Sequence, residues 1–86
     1  MSSSATIRVL LAEDEELIRT ALVALLEREP DIVVLAAARD GKEALDKALA
    51  HRPDVAIVDL QMPGPDGITV VTELARLLPS CAGIIL

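Results

Sequence analysis

Apolar residues follow two alternating patterns along the 86-residue chain. Four short, nearly continuous apolar runs have the length of buried strands: Ile7–Ala12, Ile32–Ala37, Val55–Val58 and Ala82–Leu86. Three intervening segments repeat apolar residues every three or four positions, as amphipathic helices do: Glu15–Glu29, Ala44–Leu49 and Asp66–Leu78. The order β-α-β-α-β-α-β with short connections predicts an α/β fold, a doubly wound parallel sheet with helices on both faces.

The predicted helices begin at acidic residues. Asp14 is placed to cap the first helix and Asp66 the third, while Asp40 with Glu43 three residues later resembles a capping box. The third segment contains the β-branched run Ile68–Thr72, which locally favours a strand, but its apolar spacing is helical and Pro79 ends it. We therefore predict a helix there.

Composition narrows the class of protein. The chain has no aromatic residue, so Leu, Ile, Val and Ala must form the core, and its net charge of −6 argues against a basic nucleic-acid-binding face. The single cysteine, Cys81, excludes an internal disulfide and is expected to be a small core residue in a reducing compartment. Neither a membrane span nor a signal peptide is evident, so we expect a flexible tail at residues 1–6 and a cytoplasmic protein with no membrane partner.

Three acids lie where strands end. Asp59 terminates the third apolar run, and Glu13 and Asp14 follow the first. Ligands of α/β sheets bind beyond the carboxyl ends of the strands, so these carboxylates converge if the two strands are neighbours. Their repulsion would be relieved by Mg²⁺, with a backbone carbonyl just after Asp59 as a further ligand. Each acid taken alone is better explained by a structural role, such as a helix cap or a solvated surface, but the three acids together at this edge favour a functional site.

Two segments carry a family resemblance. LLAEDE and, further along, IVDLQMPGPDG, with ARDGKEAL between them, resemble the receiver domain of bacterial two-component response regulators, in the style of the NarL/LuxR-like branch. The resemblance implies a flavodoxin-like receiver fold. It also implies that Asp59 is the phosphoacceptor, that Glu13 and Asp14 hold Mg²⁺, and that the backbone carbonyl of Gln61 is a further metal ligand.

The same resemblance implies a function. A sensor histidine kinase would donate a phosphoryl group from its phosphohistidine to Asp59 in a Mg²⁺-dependent step. Such domains are signalling modules and are usually not classed as enzymes. In the NarL/LuxR-like branch the receiver precedes a DNA-binding domain that controls transcription, and no such domain is in this sequence.

The resemblance stops at Leu86, inside the fourth of a receiver's five strands. We therefore expect residues 7–86 to be the N-terminal part of a receiver domain, without its last third, its switch Ser or Thr and its phosphate-binding Lys. An exposed strand edge favours a homodimer or a strand-exchanged association. Folding should be marginal and the phosphorylation-driven conformational change weak or absent.

Two other functions stay open. One is a receiver-like dimerisation or docking module that takes no phosphate. The other, an aspartyl-phosphate hydrolase, is disfavoured because Gln61 stands where such enzymes want a second acid. We expect ordinary structural roles for the remaining polar or sulfur-containing candidates: His51, Arg39, Lys42 and Met62.

Overall fold

The computed structural model describes residues 6–86, which form alternating strands and helices in the predicted order. The strands are β1 (Ile7–Ala12), β2 (Ile32–Ala38), β3 (Val55–Val58) and β4 (Ala82–Ile85). The helices are α1 (Glu16–Glu27), α2 (Gly41–His51) and α3 (Gly67–Leu77). Predicted and observed elements differ only at their ends. Of the tail expected at residues 1–6, residues 1–5 lie outside the described part, and Thr6 is exposed ahead of β1.

All strands belong to one parallel sheet in the order β2-β1-β3-β4. β1 lies between β2 and β3, and its last residue, Ala12, pairs with Ala38 on one side and Val58 on the other. This order is that of the flavodoxin-like doubly wound sheet. The predicted fold class is confirmed, and the carboxyl ends of β1 and β3 lie side by side.

The main core lies between the sheet and helices α2 and α3. Leu10 of β1, Val58 of β3, and Val70 and Leu74 of α3 are fully or almost fully buried there. Small residues let α2 approach closely, since Ala44 and Ala48 are also inaccessible. A core without aromatic residues is thus assembled from Leu, Val and Ala, as the composition predicts.

Helix α1 packs against β1 and β2 on the other face of the sheet. Val9 and Leu11 of β1 are buried, yet no residue of α1 is fully buried and Leu17 is 82% exposed. The apolar stripe of α1 is therefore covered only in part by the residues of the described chain.

The predicted helix starts hold at two positions and fail at one. Asp40 accepts a hydrogen bond from the Glu43 amide at 2.8 Å, and Asp66 accepts one from the Thr69 amide at 2.9 Å. The cap predicted at Asp14 is wrong, because the N-cap position of α1 is Glu15 and no side chain bonds there in cap geometry. Asp14 is left for another role.

The β-branched run Ile68–Thr72 is helical, as its spacing predicts. Burial of Val70 against the core outweighs the local strand preference of the β-branched side chains.

The side chains expected to have ordinary roles behave so. Met62 and Cys81 are buried in the core, and His51 is the exposed last residue of α2. Arg39 and Lys42 form surface ion pairs with Glu43 and Asp46. Within residues 6–86, none of the helices is long and apolar enough to cross a membrane.

Candidate metal site at the carboxyl ends of the strands

Backbone hydrogen bonds extend the sheet by one residue beyond its strands and fix two acids there. The Glu13 amide donates to the Ala38 carbonyl, and the Asp59 amide donates to the Ala12 carbonyl, each at 2.9 Å. Glu13 and Asp59 are thus held on adjacent strands by the ladder itself. Their side chains start from positions set by the rigid part of the fold.

The three predicted acids come together. Carboxylate oxygens of Glu13, Asp14 and Asp59 lie within 4.8 Å of one another, and we call these residues the acidic cluster. Glu13 is buried, with 6% of its surface exposed, while Asp59 is half-buried and Asp14 is exposed. The cluster is therefore closed toward the sheet and open to solvent on the Asp14 side.

The electrostatics of the cluster are unfavourable as it stands. Burial raises the pKa of Glu13 above its ordinary value, and the neighbouring Asp59 and Asp14 carboxylates raise it further. The Glu15 amide, which donates to Glu13 Oε2 at 2.9 Å, opposes that shift only in part. Three acids with one buried member need a compensating positive charge.

The described part of the chain does not supply that charge as an ion pair. The ion pairs found within residues 6–86 lie in and around α2 and α3, and none involves the acidic cluster. Oxygen donors on one open-sided site suit Mg²⁺, which takes one or two carboxylates and keeps several waters. The donor set fits the predicted ion.

The loop between β3 and α3 carries the remaining predicted residue. Gln61 is exposed two positions after Asp59, and its amide donates to Asp59 Oδ1 at 3.4 Å. This bond turns the loop back over the acid. The metal-ligand role of the Gln61 carbonyl stays a prediction.

Two glycines shape this loop. Gly64 adopts φ = +75°, a left-handed conformation that favours glycine. At Gly67 a Cβ atom would lie 2.5 Å from the Asp59 carbonyl oxygen, so any side chain would push α3 away from the acid. Gly67 ends the motif IVDLQMPGPDG that carries the family resemblance, but the sequence alone does not predict this close approach to Asp59.

One residue missed from the sequence is Arg19, in the second turn of α1. Its Nη1 donates to the Glu13 carbonyl at 3.0 Å and to the Asp14 carbonyl at 3.4 Å. Apolar periodicity says nothing about Arg19, because contacts with a loop behind the helix start have no local signature.

A separate cavity of about 230 Å³ lies at the amino ends of β3 and β4. It is lined by residues that precede these strands: Arg52, Pro53, Asp54, Leu78, Ser80 and Cys81. Ligand sites of open α/β sheets lie at the opposite, carboxyl end, where the acidic cluster is. We therefore place the functional site at the cluster and not at the cavity.

Comparison with known proteins identifies related chains. A family profile, the response regulator receiver domain, matches residues 9–86. A protein-glutamate methylesterase/protein-glutamine glutaminase of Carboxydothermus hydrogenoformans is 48% identical over 74 residues, which are 86% of this chain and 21% of that protein. The transcriptional regulatory protein LiaR of Bacillus subtilis is 46% identical over 72 residues, which are 84% of this chain and 34% of LiaR.

Solved structures agree with this assignment. The signal receiver domain of the response regulator NarL from Mycobacterium tuberculosis superposes with a TM-score of 0.90 at 32% identity, covering 95% of this chain and 66% of that one. The likeness to the NarL/LuxR-like branch is thus confirmed for the receiver fold. The chain spans about a fifth to a third of the two curated relatives described above.

Proposed function

The chain belongs to the response regulator receiver domain family of two-component signalling, and from that premise we propose that it is a phosphoacceptor module. In this proposal the acceptor is Asp59, and Glu13, Asp14, Asp59 and the Gln61 carbonyl would hold Mg²⁺. The observation that carries the proposal is the convergence of three carboxylates within 4.8 Å at the carboxyl ends of adjacent strands, where none of the ion pairs formed by residues 6–86 involves them.

Each residue has a distinct part in the proposed transfer. An Asp59 carboxylate oxygen attacks the phosphorus of a phosphohistidine on a sensor histidine kinase. The O–P bond forms as the N–P bond breaks, and the bonding electron pair stays on the imidazole nitrogen. The buried Glu13 and the exposed Asp14 would hold the cation. Bound Mg²⁺ would offset the negative charge that the phosphoryl oxygens bring to the site.

The β3–α3 loop supports the acceptor. The Gln61 amide and the close approach of Gly67 keep Asp59 at the open rim of the cluster. Asp59 is half-buried, so one side of its carboxylate remains accessible to a donor.

Intact-mass spectrometry after incubation with a small phosphodonor tests the proposal. We expect a single phosphoryl adduct that requires Mg²⁺, disappears with EDTA, and is absent from Asp59→Asn. An adduct that persists in Asp59→Asn would contradict the assignment of the acceptor. No adduct in a folded, Mg²⁺-loaded chain would favour the alternative, a docking module that takes no phosphate.

The output of the whole protein is a separate proposal. We infer transcription control through a DNA-binding segment, on the likeness to LiaR and NarL. Control of a methylesterase is the second candidate, because the methylesterase relative is equally similar, at 48% identity. The sequence of the full gene product distinguishes a helix-turn-helix segment from a hydrolase domain. We place the protein in the cytoplasm, on the single cysteine and its kinase partner.

Self-association through β4 completes the proposed partners. β4 is an outer strand of the described sheet, and each of its residues is exposed, including Ile84 at 47% and Ile85 at 40%. Its sequence, AGII, has no charge or proline to block edge pairing. We expect concentration-dependent dimers in sedimentation velocity that Ile84→Lys abolishes. A wild-type chain that stays monomeric at all concentrations would contradict this.

A further inference from the structure

Arg19 makes contacts that the proposed transfer does not use. It lies half-buried in the second turn of α1, and its Nη1 donates to the backbone carbonyls of Glu13 at 3.0 Å and Asp14 at 3.4 Å. Its own amide donates to the Glu15 carbonyl at 2.8 Å. One residue thus bonds to all three residues that connect β1 to α1.

This connection is the part of the acidic cluster that the sheet does not fix. The ladder holds the Glu13 amide, and the Glu13 carboxylate accepts from the Glu15 amide, but Asp14 is exposed and caps no helix. The carbonyl of Asp14 accepts a hydrogen bond from the Arg19 guanidinium at 3.4 Å. Loss of that guanidinium would free the Asp14 backbone, and with it the carboxylate, to move.

The guanidinium bonds carbonyls and leaves the carboxylates free. Within residues 6–86, Arg19 takes part in none of the ion pairs, so the carboxylate oxygens of the cluster stay available to a cation. An Arg that paired with these carboxylates would instead compete with the cation. The geometry points to a positioning role.

We propose that Arg19 is a positioning residue for the divalent-cation site, which fixes the Glu13–Asp14 backbone so that both carboxylates face the cation. The proposal rests on the proposed function, because it requires that the cluster binds Mg²⁺. Partners that orient metal ligands typically contribute 10- to 100-fold to metal affinity. Since Arg19 acts through the backbone of two ligand residues, we expect about the lower of these values.

A purely electrostatic role and a positioning role of Arg19 predict opposite changes in Mg²⁺ affinity when the side chain is removed. If Arg19 acted only through its charge, its removal would make the acidic cluster more negative and would tighten Mg²⁺ binding. If it positions the loop, its removal weakens binding. The substitution Arg19→Met separates the two, because Met has nearly the helix propensity of Arg and carries no charge.

The experiment is calorimetric titration of the chain with Mg²⁺. Arg76→Met is the matched control, since Arg76 is also a helical arginine but pairs with Glu73 on the surface of α3. We expect a Kd about 10-fold higher for Arg19→Met and an unchanged Kd for Arg76→Met. Circular dichroism in EDTA verifies that both variants keep their helices.

The outcomes separate the two levels of the proposal. A Kd for Arg19→Met equal to or below that of the wild type overturns the positioning role while the metal site stands. A folded wild-type chain that binds no Mg²⁺ overturns the metal site itself, and the role of Arg19 with it. If Arg19→Met loses its helical signal, Arg19→Lys replaces it. This variant keeps the charge without the guanidinium, so weaker binding is again expected, and wild-type affinity overturns the proposal.

Discussion

Two aspartates lie at the two ends of β3, and their carboxylates have different neighbours. Asp54, just before the strand, accepts the Arg8 amide at 2.9 Å through Oδ2, and its backbone bonds to Arg8 and Ala82 at 2.8 and 2.9 Å. Asp59, just after the strand, has a 3.4 Å contact with the Gln61 amide and two carboxylates beside it. The Asp54 carboxylate thus accepts a hydrogen bond from a neighbouring strand, whereas the Asp59 carboxylate lies beside two other acidic side chains.

The surroundings of Asp54 indicate that the residues at the amino end of β3 have a structural role. The Arg8 guanidinium donates to the carbonyls of His51 and Arg52 at 2.8 Å each, which closes the last turn of α2. Polar groups at this end satisfy one another and join α2, β1 and β3. At the carboxyl end the chain holds acids together without such partners, which indicates that stability is given up there for a functional site.

The largest effect we predict at the carboxyl end follows from Glu13→Gln. The amide keeps the shape of the side chain but removes a negative ligand, so we expect Mg²⁺ affinity to fall by at least the roughly 10- to 100-fold that the loss of an outer-shell partner costs. Calorimetric titration measures it, with Asp54→Asn as a control that removes the same charge at the other end of β3. Equal losses in the two variants would show that net charge, and not the acidic cluster, governs binding.

The same variant should have the opposite effect on stability without metal. The pKa of Glu13 is raised by burial and by its neighbours, so its contribution to stability is fully present below the unfolded pKa and is lost as the pH rises through the folded pKa. Because Gln does not ionise, Glu13→Gln removes this loss of stability at higher pH. We expect the variant to be more stable than the wild type at neutral pH in EDTA, with the difference vanishing under acid. A destabilised variant at neutral pH would contradict the account.

Substitution of Asp54 and substitution of Asp59 should also have different effects on the free energy of unfolding. Asp54→Ala removes a charge-assisted hydrogen bond, and we expect the free energy of unfolding to fall by about 1 kcal/mol. Asp59→Ala removes a like charge from the cluster, so without metal we expect no loss beyond about 0.5 kcal/mol, or a gain. Urea unfolding followed by circular dichroism is suitable, since the chain has no aromatic residue to report by fluorescence. Reversed ranks would break the comparison.

The smallest effect concerns Asp66, an acid near the cluster that serves the fold. The Thr69 amide lowers its pKa, so its contribution is present above the unfolded pKa and is lost as the pH falls through the folded pKa. Asp66→Asn keeps a capping oxygen. We expect almost no change at neutral pH and a weaker loss of stability under acid, both measured by thermal unfolding. An Asp66→Asn variant as acid-sensitive as the wild type would exclude this role.

The sequence could predict the elements and the acidic cluster because both depend on regular geometry. The spacing of apolar residues indicated each strand and helix, and the parallel order brought Glu13 and Asp59 to one edge. Even the β-branched start of α3 followed its helical spacing, because Val70 is buried there.

What the sequence could not predict depends on contacts between distant segments. Asp14 was predicted to cap a helix, but the Glu13 carboxylate accepts the hydrogen bond from the Glu15 amide. The Arg19 guanidinium donates to the carbonyls of Glu13 and Asp14. The approach of Gly67 to the Asp59 carbonyl is likewise set by how α3 docks. The apolar stripe of α1 is real, yet periodicity alone does not say how much of it another element covers.

Chemical mapping can identify the residue that accepts the phosphoryl group. Borohydride reduces an acyl phosphate to an alcohol, so a phosphorylated aspartate becomes homoserine that peptide mass spectrometry can locate. After incubation with a small phosphodonor, we predict homoserine at position 59 alone, in Mg²⁺ and not in EDTA. Homoserine at position 54 or 66, or equal labelling without Mg²⁺, would contradict the claim that the acidic cluster makes Asp59 the phosphoacceptor.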